Sequence, residues 1–138
     1  MTDPSPPHGF APARFSPGFL DHGGPYFLGT SRAGPRPVGL RVGAHHINYK
    51  DGAHGGVIST FADVALSHAV HDAERPHLAP STITLQVNYL AAAKLGDWLE
   101  ARVTIDRLGR RTAYTSGRIM RADEVIATMS GVFAIRRG

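Results

Sequence analysis

Hydrophobic positions crowd together once along this chain, between Val57 and Val70, and alternate with polar ones through most of the C-terminal half. In the crowded stretch the apolar residues stand at 57, 58, 61, 62, 64, 65, 66, 69 and 70. They fall on nearly every side of a helical wheel, so the pattern predicts a helix that is largely buried. Ser59, Asp63, Ser67 and His71 interrupt it every four residues and form one slowly drifting polar stripe. Upstream, Asn48-Tyr-Lys-Asp-Gly-Ala-His54-Gly55-Gly56 is polar and turn-forming, which puts the helix start near Gly55 or Gly56.

Period-two alternation accounts for the rest. Tyr26 to Thr30 and Val38 to Ile47 read as two strands before the helix. Thr82 to Tyr89, with apolar residues at 83, 85, 87 and 89, predicts a half-buried strand after it. Leu99 to Asp106, Thr112 to Arg121 and Val125 to Arg136 come next, separated by turn signals at Leu108-Gly109-Arg110 and Ala122-Asp123-Glu124. The short turns make the last three strands antiparallel neighbours. The class is therefore α+β: one long central helix wrapped by a curved antiparallel sheet of about five to six strands. His45 and His46, adjacent in the second strand, are expected on opposite faces.

Residues 1–25 hold six of the ten prolines, which disfavours long regular elements there. They are expected to form a strap or lid, pinned by Phe10, Phe15, Phe19 and Leu20, over a main domain at 26–138. The triplet His22-Gly23-Gly24 repeats His54-Gly55-Gly56 but leads into Pro25 and a strand-like run, so it lacks the context of a helix start.

Composition narrows the function. At 138 residues, 19% charged and 42% hydrophobic, the chain is the size and make-up of one soluble domain. Without cysteine it has neither disulfide nor thiolate chemistry. The first residues match no secretory signal and no run is long enough to span a membrane, so a cytoplasmic location is expected. The net charge of +4, mostly from arginine, suits an anionic, phosphate-bearing partner. Nucleic acid is not expected, because the basic run Arg107 to Arg111 reads as a hairpin turn without interleaved aromatics. His68 and His71 share a helix face, but only Asp72 could supplement them, so no metal is expected. Ser67 lacks the Gly-x-Ser-x-Gly setting of an activated nucleophile.

Two features carry chemistry. Asp63 is the one acid of the apolar helix, costly to keep ionised unless hydrogen bonds or charges answer it. At the helix start, free backbone N–H groups on Gly55 and Gly56 offer what an acyl-transfer site needs to hold a developing oxyanion. Gly55 and Asp63 lie eight residues apart, about 12 Å along a helix, too far to share one carbonyl carbon. They can act together only if two copies of the helix lie side by side and antiparallel, in a two-fold dimer with two equivalent interface sites.

The residues Asn48-x5-His54-Gly55-Gly56, the helix with Asp63, and Thr82-x2-Leu-x-Val-Asn-Tyr-Leu together resemble the hotdog-fold acyl-CoA thioesterases of the PaaI-like, phenylacetate-degradation type. Gly24-Pro25-Tyr-Phe and Ser130-Gly131-Val132-Phe133 are similar to that group as well, so the likeness covers roughly residues 24–136. The resemblance implies a hotdog fold and hydrolysis of an acyl-CoA thioester. It implies that Asp63 is the general base or nucleophile and that the Gly55 N–H polarises the thioester carbonyl. Asn48 and His54 position the thioester or water, and Ser67 places a hydroxyl near the acid. Gly56 and Thr82 fall at the substrate site, with Lys94, Arg107, Arg110 and Arg111 as candidates for the coenzyme A phosphates. No cofactor beyond the substrate's coenzyme A is implied, and the assembly is a dimer or a dimer of dimers. Two further classes stay open: a non-catalytic acyl-CoA binder, and a hotdog hydratase or dehydratase, for which Asp51 is the only acid in the loop before the helix.

Overall fold

A computed structural model describes residues 5–137. Its order is β1 (Phe10–Ala13), α1 (Phe19–Gly23), β2 (Tyr26–Gly29), β3 (Val38–Arg41), α2 (Gly55–His71), β4 (Ala79–Tyr89), β5 (Trp98–Leu108), β6 (Thr112–Arg121) and β7 (Glu124–Arg136), with a single 3-10 turn at Ala44–His46. The α+β class and the central helix stand as the sequence predicts. All seven strands join one antiparallel sheet in the order β1-β2-β3-β5-β6-β7-β4. The seventh strand is β1, whose Phe10–Ala13 pairs with Tyr26–Gly29. The proline-rich segment thus supplies only short elements, but one of them extends the sheet.

Helix α2 lies on the sheet, against β4, β5, β6 and β7. Ile58, Phe61, Ala62, Val64, Ala65, Leu66, Ala69 and Val70 are its buried positions. All of these but Ala69 meet Leu40, Leu99, Ile119, Ile126 and Phe133 from the strands in one core. Gly131 leaves no room at this contact: a Cβ there would come within 2.7 Å of the Phe133 ring on its own strand and 3.3 Å of Leu66 on the helix. The polar stripe Ser59, Asp63, Ser67, His71 is left half-buried on the side away from this core.

The second strand is shorter than expected. It ends at Arg41, because the chain turns at Gly43 into the 3-10 segment. His45 and His46 consequently do not point to opposite faces: their rings lie 3.8 Å apart. His45 Nε2 meets the Gly24 carbonyl at 2.5 Å, and His46 Nε2 meets that of Gly23 at 2.7 Å. A carbonyl only accepts, so each Nε2 carries the proton. The first His-Gly-Gly triplet therefore has a structural use, as the acceptor that ties the N-terminal segment to the loop before α2.

β4 forms one edge of the sheet, hydrogen-bonded only to β7, with a register break around Ile83. It is more exposed than its alternation predicts: Ile83 is 57% exposed, Tyr89 54%, and Leu90 just beyond it 59%. Of the alternating positions 83, 85, 87 and 89, Leu85 and Val87 alone turn partly inward. Among the described residues no helix is long and apolar enough to cross a membrane.

Candidate active site

The first turn of α2 is held by its own cap. His54 Nδ1 accepts the Gly56 N–H at 2.9 Å, and the His54 carbonyl accepts from Val57 and Ile58. Only the Gly55 N–H at this helix start has no acceptor among the described residues. The expected pair of free amides is thus reduced to one. Gly56 is engaged, while His54, with Nδ1 accepting, presents a protonated Nε2 outward. The lack of a side chain keeps Gly55 approachable, as it is exposed and a Cβ would meet nothing nearer than Tyr89 at 3.8 Å.

Asn48 braces the preceding loop. Its Oδ1 accepts from the backbone N–H of Lys50 at 2.8 Å and of Gly52 at 3.2 Å, a side-chain-stabilised turn. Its amide nitrogen has no partner among the described residues. Tyr89 of β4, read from sequence only as an apolar strand position, binds here too. Its hydroxyl donates to the Gly55 carbonyl at 3.0 Å and so accepts from the Ser59 hydroxyl. Ser59 in the polar stripe is the one sequence signal that a polar partner was needed at this turn.

Two turns along, Asp63 Oδ1 accepts from Thr82 Oγ1 at 2.7 Å. The strand and helix that carry these residues are neighbours in the layer packing, which brings positions 19 apart in sequence into contact. Asp63 opens into a cavity of about 540 Å³ whose helix side includes Val64, Ser67, His68 and His71. Phe15, Phe19 and Leu20 of the N-terminal segment form the opposite wall. Ser67 shares this space with Asp63, its hydroxyl donating to the Val64 carbonyl at 3.3 Å. His54, Gly56, Val57 and Thr60 line a second cavity of about 350 Å³, reached on the other side of Phe19. Within one chain, then, the helix start and Asp63 face different spaces, as their spacing requires.

The basic candidates do not converge in one chain. Lys94 bridges to Gly52 beside the helix start, and its backbone N–H is held by Asp97. Arg107, Arg110 and Arg111 sit around the β5–β6 hairpin at the far end of β5, about 30 Å away for a strand of this length. Their exposed side chains have no acidic partner among the described residues. Arg137, paired with Glu74, donates to the Gly109 and Arg110 carbonyls and fixes the hairpin tip. Among the described residues no group of three or more His, Cys, Asp or Glu is placed to hold a metal.

Burial drives the His68 imidazole down to about 4, against the pull of Asp72 and with the help of Arg36, His71 and His77. Burial also lowers His46. Both lie below the ordinary histidine value of about 6.5. The unfolded chain therefore takes up protons that the native state refuses as pH falls from about 6.5 to about 4, and stability drops through that window. Chemical denaturation between about pH 7 and pH 4 is expected to show a loss on the order of 2–3 kcal/mol from His68, largely removed in His68→Gln. A pH-independent wild-type midpoint would contradict the neutral, buried assignment.

The fold thus sets one long helix on an open antiparallel sheet, with a lone acid along that helix and a free amide at its start. The chain belongs to the thioesterase superfamily, whose family model matches residues 52–128. It is 37% identical to a provisionally named esterase of Pseudomonas aeruginosa over 127 residues, 92% of this chain and 95% of that protein. Its hotdog fold is shared with the PaaI protein of the E. coli phenylacetic acid degradation operon (TM-score 0.69, 23% identity, 75% of this chain and 73% of that one). It is shared too with the Bacillus halodurans protein BH2602, solved with CoA (TM-score 0.67, 24% identity, 72% and 66%). The protein is a thioesterase.

Proposed function

We propose that this enzyme hydrolyses an acyl-CoA thioester to a carboxylic acid and free coenzyme A, at a site made by two copies of the chain. The thioester carbonyl rests on the Gly55 N–H, where the positive end of α2 and the uncommitted donor face developing negative charge. His54 Nε2–H is a second donor at the same helix start, and Asn48 holds the loop that presents both. Asp63 of the other copy, steadied by Thr82, takes a proton from water or attacks the carbonyl itself to give an anhydride that water then opens.

The observation that carries this reading is that Asp63 and the His54–Gly56 start of α2 face separate cavities of one chain, while β4, which touches both through Thr82 and Tyr89, is an edge of the sheet. An exposed eleven-residue edge strand with Ile83 and Tyr89 uncovered is a surface that proteins normally pair or shield. Edge-to-edge pairing of β4 with its copy would lay the two helices antiparallel and bring each Gly55 toward the other's Asp63. Lys94 of one copy and the arginines of the other would then be the candidates to reach one coenzyme A.

A thiol-release assay on a panel of acyl-CoAs, with the mass measured by light scattering, tests the reading. The expected result is turnover by a dimer or a dimer of dimers. Binding of acyl-CoA without thiol release would identify a binder instead, and a monomer that turns over would refute the shared site. Thr82→Val, which removes the bond to Asp63, is expected to lower kcat about tenfold, with Thr82→Ser restoring most of it. An unchanged rate in Thr82→Val would show that the bond does not serve the acid.

A further inference from the structure

Charge is unbalanced at a cavity on the far side of α2 from Asp63. We propose that this cavity binds a small phosphorylated molecule, a phosphomonoester dianion with an apolar or aromatic body, at a site separate from that of the thioester. Binding there involves no thioester chemistry, so it stands whether or not the protein hydrolyses acyl-CoA.

The cavity, of about 490 Å³, lies between the β2–β3 loop, the end of α2 and the far end of β5. It has no lining residue in common with the cavity at Asp63. Ala69 on its helix wall follows Ser67 by two residues, about 200° around the axis, so α2 stands between the two spaces. Three guanidinium groups, those of Arg32, Arg36 and Arg75, line it with Asp72 as the one acid among the described residues. Two positive charges are left in excess. Asp72 is already committed: its Oδ1 accepts from Arg75 Nη2 at 2.9 Å, and its Oδ2 from Arg36 Nε at 3.3 Å and Nη2 at 3.2 Å. The Arg36 side chain is nevertheless only 15% exposed, and no described residue accepts from its Nη1. A guanidinium withdrawn from water with donors unspent is costly unless an anion answers it. Arg32 likewise has no acidic partner among the described residues.

Local features build this arrangement. Gly34, at φ 94°, reverses the chain between Arg32 and Arg36 and brings both to one cavity. In an unbroken strand Ile105 and Leu108 would face opposite sides of the sheet. The register break between Ile105 and Arg107 turns both toward the cavity. With Pro35 and Ala69 they supply an apolar floor beside the charges. A carboxylate would bring one negative charge to this site. A phosphomonoester brings close to two at neutral pH, with oxygens that guanidinium forks bind in pairs. The dianion matches the excess, and the floor suits the group esterified to it.

Calorimetric titration of the full chain with phenyl phosphate, methyl phosphate and benzoate tests the site. Phenyl phosphate is expected to bind once per chain, about tenfold or more tighter than benzoate and about fivefold tighter than methyl phosphate. Arg32→Gln removes an exposed, unpaired side chain, so the fold and its melting temperature should be unchanged while the phenyl phosphate Kd rises about tenfold. Arg32→Lys, which keeps the charge and loses the fork, should fall between the two. Coenzyme A at equal concentration is expected to leave phenyl phosphate in place. Absence of binding, an equal Kd in Arg32→Gln, or benzoate held as tightly as phenyl phosphate would overturn the proposal. Displacement by coenzyme A would also overturn it, by placing the probe in the thioester's own site.

Discussion

Asp63→Asn is expected to lower kcat by about 10²- to 10⁴-fold while leaving the fold intact. The substitution is nearly isosteric, and the amide oxygen it introduces can still accept from Thr82, so loss of the bond at 2.7 Å is not at issue. What disappears is the ability to take a proton or to attack carbon. Because the acid acts in the transition state more than in binding, the loss should fall on kcat with KM little changed. Steady-state thiol release with wild type and variant side by side measures it. A rate within about threefold of wild type would remove Asp63 from the mechanism.

The second large effect is expected at the helix start. Gly55→Pro removes the free N–H and little else. Proline is well accepted in the first turn of a helix, where its missing N–H breaks no intrahelical bond. The preceding His54 already has the extended backbone (φ −60°, ψ 142°) that a following proline requires. The space is also available, since the nearest atoms to an added Cβ are those of Tyr89 at 3.8 Å. Loss of one oxyanion donor costs about 10²- to 10³-fold in kcat. Gly55→Ala, which keeps the N–H, is the control and should retain most activity. Equal loss in both variants would point to crowding by a side chain rather than to the amide.

Much of this site is legible in the sequence because its parts are local. The crowded apolar run, its four-residue polar interruption and the glycines before it are properties of one helix, and α2 begins and ends where they require. The separation of Gly55 from Asp63 follows from helical rise alone. What sequence could not supply is contact between distant elements. Thr82 reaches Asp63 only because β4 lies next to α2, and the hydroxyl of Tyr89 finds the Gly55 carbonyl across the same junction. The use of Gly56 by the His54 ring depends on a side-chain rotamer, which no spacing encodes. The Val38 to Ile47 run failed as one strand because Gly43 opens a turn within it. That turn changed the reading of His45 and His46 from opposed strand residues to a pair binding Gly23 and Gly24. The exposure of Ile83 and Tyr89 likewise follows from sheet order, which leaves β4 at an edge although its alternation reads as half-buried.

The central claim is that each site takes its amide from one chain and its acid from another, and subunit mixing tests it most directly. Gly55→Pro and Asp63→Asn proteins, each nearly inactive alone, are unfolded together in equal amounts, refolded and assayed. Half of the dimers formed at random are mixed, and each mixed dimer holds one site with both an intact Gly55 amide and an intact Asp63. The mixture should therefore recover about a quarter of wild-type activity. Activity that stays at the average of the two parents, with mixed dimers present by mass spectrometry, would mean that amide and acid do not meet across the interface.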